Sequence, residues 1–427
     1  MIKTEILSVG TELLMGQIVN TDAGYISARL PEAGAGVYYH TVVGDNPDRL
    51  RDCLLIALGR ADIVITTGGL GPTQDDLTKQ TIAAVLGLGL REHKETRESI
   101  DAYFSKRGKK ATENNYRQAM MPEGAEILTN VNGTAPGCMI RCGNEFSGKI
   151  VFMLPGPPDE LKPMFDSYVM KYYMDIAEQK MHSAFVRICG TGESAVETKL
   201  SELIDGQTNP TLATYVKTGV VTVRVTASAE CEEKAVNIVD VTVEKIKNLL
   251  GDDVYSTSNE EPEETLVRLL KEKNMTVSTA ESLTAGMISA KIASVPGASK
   301  VLVSGITVYT DEAKNKLLGV KQKTLTDHTA VSAETCREMA EGVRRLTGSD
   351  FSIAVTGYAG PQVEDEPVGL VYIGIAAAHK TFVKECHFAG SRERIRTLTA
   401  VNSIDLTRRM LLELSSTDAV KTGGIGQ

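Results

Sequence analysis

The chain has 427 residues, 42% of them hydrophobic, which is more than one ordinary core accommodates and predicts two or three globular units. Acidic residues outnumber basic ones 55 to 46, and the net charge of -9 argues against a non-specific grip on nucleic acid. The 7 cysteines lack zinc-ribbon spacing and the 6 histidines are scattered, giving no support to a histidine-based metal site. No apolar run approaches the roughly 18 to 20 residues of a membrane span, and no basic segment leads into an apolar one at the start. Together these features predict a reduced, cytoplasmic protein with no membrane partner.

In chain order, Ile2 to Val9 has a strand pattern, "GTELLMG" at Gly10 to Gly16 a turn, and Thr21 to Leu30 a helical one. Val37 to Val43 reads as a strand, Pro47 to Leu58 as a helix with Leu50, Leu54 and Leu58 on one face, and Ile63 to Thr67 as a buried strand. Ile150 to Leu154 adds a strand, stopped by "PGPPDEL" at Pro155 to Leu161, where prolines and acids suit a first helical turn. The alternation predicts a mostly parallel sheet covered on both faces, a three-layer α/β/α domain over residues 1–175.

A small α+β domain follows over 176–256, with a helix at Ser194 to Leu203, alternating Val221, Val223 and Val225, and a helix from Cys231 to Leu250. "GDDVYSTSNEEPEE", Gly251 to Glu264, reads as a linker turning into a helix start at Pro262. The third domain, 260–414, is α/β, with strands at Thr276 to Thr279, Lys300 to Tyr309, Phe351 to Thr356 and Gly369 to Ala377 and a helix at Ala333 to Leu346. Residues 415–427 lack periodicity and read as a flexible tail.

The stretch "TTGGLGPTQDDLT", Thr66 to Thr78, joins a strand's end to a helix start. Such a turn exposes backbone N–H groups that suit phosphate or pyrophosphate, with Gly68, Gly69 and Gly71 permitting close approach. Asp75 and Asp76 would repel an anion unless a hard cation lay between, so the parts predict a metal-bridged diphosphate. The plainer alternative makes the two aspartates caps of the helix starting near Leu77.

"GTELLMGQIVNTD", "GDN", "TTGGLGPTQDDLT" and "PGPPDEL", in this order and spacing, resemble the N-terminal domain of the CinA (competence/damage-inducible protein A) family, which is similar to the molybdopterin-binding fold. The resemblance implies hydrolysis of ADP-ribose to AMP and ribose 5-phosphate with a divalent metal, cobalt or magnesium, and stimulation by potassium. It places Gly68, Gly69 and Gly71 at phosphate, Asp75, Asp76 and Asp45 at the metal, and Glu12 in the same pocket. The middle segment, with "GTGES" and "NPTLATY", resembles the family's KH-like domain. RNA binding does not follow, because Gly190 and Gly192 are separated by one residue and Glu193 would repel phosphate, so a linking or dimerising role is expected.

In the third domain "TAESLTAG", Thr279 to Gly286, could present Ser282 beside helix N–H donors as a nucleophile, or simply cap a helix. Lys314 could be a solvated lysine and Tyr309 a strand end, and "GSRERIR" could offer Arg392, Arg394 and Arg396 to a phosphate or be a surface charge run. "GITVYTDEAKNKLLGV", "AVS", "TGYAGP" and "PVGLVYIG" make the segment resemble the C-terminal CinA domain, the amidohydrolase PncC. That resemblance implies conversion of nicotinamide mononucleotide to nicotinic acid mononucleotide and ammonia, with Ser282 as nucleophile, Lys314 and Tyr309 in proton transfer, Thr356 in the site, and Arg392 and Gly360 on the substrate.

Leu283, Ala285 and Tyr358 depart from the family's pattern, as does "QVEDEP" after Pro361, which would stiffen a substrate loop and add negative charge. The expected protein is therefore a bifunctional enzyme of pyridine-nucleotide salvage, a homodimer acting on small nucleotides without direct nucleic-acid contact. A molybdopterin-binding protein and a non-enzymatic partner in DNA uptake are the alternatives.

Overall fold

Ile63–Thr67 is buried along its whole length, with Ile63 and Ile65 turned to one apolar cluster and Val64 to another. Successive side chains of a strand point to opposite faces, so this strand lies inside a sheet covered on both sides. The sheet runs Gly36–Val43, Lys3–Val9, Ile63–Thr67, Ile150–Leu154, Gly137–Arg141, Glu126–Leu128. Its first four strands are parallel and its last two antiparallel, so the expected parallel core carries an antiparallel edge. Leu50, Leu54 and Leu58 of the Pro47–Arg60 helix seal one face, and Leu161, Met164 and Phe165 the other. The side chain of Asn46 starts the former helix by accepting from Arg49 N at 3.0 Å.

The computed structural model describes residues 2–177, 180–361 and 367–422, and of 415–422 only the backbone. The chain divides into two units, Met1–His182 with Ser228–Ala235, and Ser183–Ala227 with Val236–Gln427. The middle and C-terminal segments thus share one unit. The middle sheet has the order Thr211–Lys217, Val220–Ala229, Lys180–Cys189, Val254–Ser256. Its last strand falls inside the stretch expected to be a linker. Val254 and Ser256 pair antiparallel with Ile188 and Arg187, and the Tyr255 side chain is buried with its hydroxyl accepting from Arg187 Nε at 3.0 Å.

The C-terminal sheet runs Leu302–Thr307, Val277–Glu281, Phe351–Gly357, Leu370–Ala376, Thr381–His387, with the first three parallel and the others antiparallel. Arg392–Thr422 closes the fold as one helix. The tail expected from Ser415 therefore begins in helical backbone, because no helix breaker occurs before Gly423 and propagation onto an existing helix is cheap. The "QVEDE" departure at 362–366 and the last five residues, 423–427, lie outside the described residues.

Candidate active sites

In an open α/β sheet, ligands bind beyond the carboxyl ends of the strands. In the first unit a cavity of about 590 Å³ is lined there by loops following all four parallel strands. Gly10 and Glu12 follow Lys3–Val9, Asp45 follows Gly36–Val43, Gly68 to Asp76 follow Ile63–Thr67, and Pro155 to Glu160 follow Ile150–Leu154. All seven N-terminal residues chosen from the sequence line this one cavity: Glu12, Asp45, Gly68, Gly69, Gly71, Asp75 and Asp76.

Gly68 and Gly69 have φ of 93° and 67°, and an added Cβ would lie 2.2 Å from Val9 O and 2.0 Å from Thr78 Oγ1 respectively. Their first duty is to let the turn pack against the neighbouring strand end, whatever they offer a phosphate. At Gly71 a Cβ would meet the Asp76 carboxylate at 2.5 Å. Asp76 itself accepts from Thr73 N at 2.8 Å and from the Thr73 hydroxyl. The Thr78–Val85 helix has Leu77 at its cap and no side-chain cap bond, so the capping alternative for Asp75 and Asp76 fails. Asp75 is exposed, and the nearby Thr73 hydroxyl, aided by its own backbone amide, holds its carboxyl below the usual range. Asp45 Oδ2 accepts from Thr11 N at 2.9 Å and from Thr11 Oγ1 at 2.8 Å.

Asp22, Gln118 and Glu160 are among the further polar residues that line the cavity. Glu160 accepts from Asn130 Nδ2 at 2.6 Å. Asp22 and Gln118 are 8% and 2% exposed, and among the described residues Asp22 Oδ1 and Gln118 Oε1 are buried without a hydrogen-bond partner. Sequence reading passed over both. Asp22 looks like an acid in a first helical turn behind the Asn20 cap, and Gln118 carries no periodic signal. The cavity's carboxylate and amide oxygens are hard donors that suit a divalent cation. Among the described residues, however, no three histidine, cysteine, aspartate or glutamate side chains converge closely enough to hold one. A cation here would take Asp45, Asp75 or Asp76 one or two at a time and complete its shell with ligand oxygens.

In the second unit, Ser282 directly follows Val277–Glu281, an interior strand of the sheet. The Met287–Ala293 helix that follows is capped at Gly286, so Ser282 is not its cap, and its hydroxyl makes no hydrogen bond among the described residues. Glu281, fully buried, accepts from Gly286 N at 2.9 Å, Ile288 N at 3.0 Å and Ser289 N at 2.9 Å. It also accepts from the hydroxyls of Thr279, Thr284 and Ser289. This corrects the expectation that helix N–H donors stand free beside Ser282, because Glu281 occupies them. Among the described residues the amides of Leu283 and Thr284 make no backbone hydrogen bond.

Lys314 is buried at 2% exposure, not solvated, and burial pushes its ammonium pKa below the ordinary 10.5 against the opposing pull of Asp311. Its Nζ lies 3.4 Å from Tyr309 O and 3.7 Å from Asp311 Oδ1. Tyr309 stands beyond the end of Leu302–Thr307, 56% exposed, with its hydroxyl accepting from Arg392 Nη2 at 3.1 Å. Arg392 also donates to Gly360 O, and Thr356 Oγ1 donates to Ala330 O at 2.7 Å. The structure thus joins Tyr309, Arg392 and Gly360, and leaves Ser282 without a hydrogen bond to Lys314 or Tyr309 among the described residues. Arg396 is not free for a phosphate. It donates to Leu283 O at 3.0 Å and Thr284 O at 2.8 Å, bracing the loop that carries Ser282.

Three family models match the chain: "Probable molybdopterin binding domain" over residues 5–174, "Damage-inducible protein CinA KH domain" over 183–256, and "CinA C-terminal domain" over 259–411. A relative from Acetivibrio thermocellus, named as a competence-damage inducible protein, is 50% identical over 96% of this chain and 99% of its own length. A "CinA-like protein" from Dictyoglomus thermophilum is 45% identical over 96% of this chain and 100% of its own. Among solved structures, "the protein CinA with unknown function from Thermoplasma acidophilum" is 31% identical, covers 40% of this chain and 99% of its own, and has a TM-score of 0.37.

Proposed function

The chain belongs to the CinA family, and from that premise we propose that it is a bifunctional enzyme of pyridine-nucleotide salvage. Its C-terminal domain deamidates nicotinamide mononucleotide, and its N-terminal domain hydrolyses ADP-ribose to AMP and ribose 5-phosphate with a divalent metal. The carrying observation is that Ser282 caps no helix and Lys314 is buried, so neither fills the structural role a bland reading gives it.

In the deamidation, neutral Lys314 takes the hydroxyl proton as Ser282 Oγ bonds to the carboxamide carbon. That proton passes to the nitrogen as the C–N bond breaks and ammonia leaves. Water then attacks the ester carbon, and as its proton returns by the same route to Ser282 Oγ the Oγ–carbon bond breaks and nicotinic acid mononucleotide is released. Burial, which favours the uncharged amine, suits Lys314 to this duty. The mechanism requires a Ser282–Lys314 hydrogen bond to form around substrate, as catalytic hydrogen bonds commonly do. Arg392 supplies positive charge for the phosphate.

For the N-terminal half, the support is the convergence of four strand-end loops on one cavity rich in oxygen donors. Asp45, Asp75 and Asp76 would hold the cation, which supplies charge neutralisation at the diphosphate. A second reading, binding of molybdopterin without turnover, draws support from the match of residues 5–174 to the probable molybdopterin binding domain.

The test is incubation of the purified protein with nicotinamide mononucleotide, and separately with ADP-ribose plus cobalt or magnesium, resolving products by chromatography. Nicotinic acid mononucleotide in the first reaction and AMP in the second are the expected products. Tight ADP-ribose binding with no AMP would transfer the N-terminal domain to the second reading.

A further inference from the structure

Two buried acceptors in the N-terminal cavity have no partner among the described residues, and they ask for a kind of ligand group that the glycine-rich loop does not. Asp22 Oδ1 and Gln118 Oε1 are shut off from solvent without a hydrogen bond, although nearly all buried polar atoms in folded proteins have one. Leaving such atoms unpaired costs stability, so a site that keeps two of them is organised for something that arrives later. Their placement is secured independently. Asp22 sits in the first turn of the Thr21–Arg29 helix, which the Asn20 side chain caps through Ala23 N at 3.1 Å. The Gln118 backbone carbonyl is held by the buried Lys79 Nζ at 2.8 Å.

Both unpaired atoms are oxygen acceptors, and one belongs to a carboxyl group. A phosphate would be repelled by Asp22, whereas a hydroxyl donates well to a carboxylate, the pairing by which acidic residues hold ribose in dinucleotide sites. Besides the glycine turn with Asp45, Asp75 and Asp76, the cavity lining therefore holds two partnerless acceptors carried by other elements, the Thr21–Arg29 helix and the Arg117–Ala119 turn.

We propose that Asp22 and Gln118 recognise the hydroxyls of a ribosyl group, making the cavity selective for a sugar-bearing diphosphate over a bare one. This deepens the ADP-ribose reading and rests on it for the identity of the ligand. The two side chains are binding residues here, with no part assigned to them in bond breaking.

The experiment is calorimetric titration of the whole protein with ADP-ribose and, separately, with inorganic pyrophosphate, at one fixed magnesium concentration. Wild type is compared with Asp22→Asn, Asp22→Leu and Gln118→Leu. Each leucine variant is expected to bind ADP-ribose at least tenfold more weakly and pyrophosphate within twofold of wild type. Asp22→Asn, which keeps the shape and folds even where the leucine variant fails, is expected to fall between. Equal losses on both probes, or none on ADP-ribose, would overturn the proposal. So would altered magnesium binding measured without nucleotide, which would make the pair cation ligands. Wild-type protein that shows this selectivity yet releases no AMP fails the hydrolase reading alone. Turnover of ADP-ribose with unchanged KM in every variant fails the sugar-recognition proposal alone, and wild type that binds neither probe fails both.

Discussion

Ala285 has a φ of 50° in the loop between Ser282 and the next helix, a left-handed conformation that its Cβ resists. Replacing it with glycine should stabilise the protein by about 1 kcal/mol, less whatever the more flexible unfolded chain takes back, as read from urea denaturation. Ser282→Ala removes no cap, so stability should barely change while deamidation falls by several orders of magnitude. Near-normal ammonia release would end the covalent mechanism. Lys314→Met should be nearly as damaging to turnover and should also change the pH dependence of stability. Between its lowered folded value and 10.5, native Lys314 binds fewer protons than the unfolded chain, so stability rises with pH through that window. The methionine variant should lose that slope. Asp22 works in the opposite direction: burial raises its carboxyl from 3.8 to about 6, with Lys162 opposing. Native protein then holds the extra proton between those values, and stability falls as pH rises through them. Asp22→Asn should flatten the slope and raise the melting temperature of the unliganded protein at pH 7.5. A lower melting temperature would make Asp22 a structural residue.

At the scale of elements, the central strands were legible because burial on both faces leaves a continuous apolar run, as in Ile63–Thr67 and Ile150–Leu154. Glu126–Leu128 and Val254–Ser256 have only three residues each, too few to show a period, and Thr381–His387 is an edge strand with exposed charges. The candidate residues that the N-terminal motifs carry fall together because those motifs sit at strand ends, whose loops converge on one cavity. Residues that act by bracing were not legible, since nothing local distinguishes Glu281 from any acid before a helix or Arg396 from its neighbours in a basic string. Yet Glu281 ties the end of the strand to the start of the helix through six acceptances. Glu281→Ala should cost about 3 kcal/mol or more, since it strands several buried donors together. It should also lower kcat, because Ser282 then rides on a loosened loop. Thermal denaturation alongside single-turnover deamidation measures both, and a normal kcat in the folded variant would show that the loop keeps its shape without this anchor.

For the second unit as a whole, the question is where it can be cut. The expected linker suggested a boundary at about Glu260, and every proposed deamidase residue lies beyond it. The structure shows contacts that cross this seam. Val401 of the last helix is buried in a cluster with Cys189, Val220 and Tyr255, and Arg408 Nη2 donates to Asp252 O at 2.7 Å. Arg409 Nη2 reaches Cys189 O at 2.8 Å and Asp253 Oδ1 at 3.2 Å, while Arg187 pairs with Glu261 at 2.9 Å. A fragment of residues 260–414 would expose Val401 and strip both arginines of these partners. A fragment of residues 183–414 would keep them. Both should deamidate nicotinamide mononucleotide, but the shorter should melt several degrees lower, since losses of about 1 kcal/mol shift a domain of this size by a few degrees each. Equal melting temperatures would mean that the last helix stands without the middle sheet, and that the seam read from the sequence was sufficient.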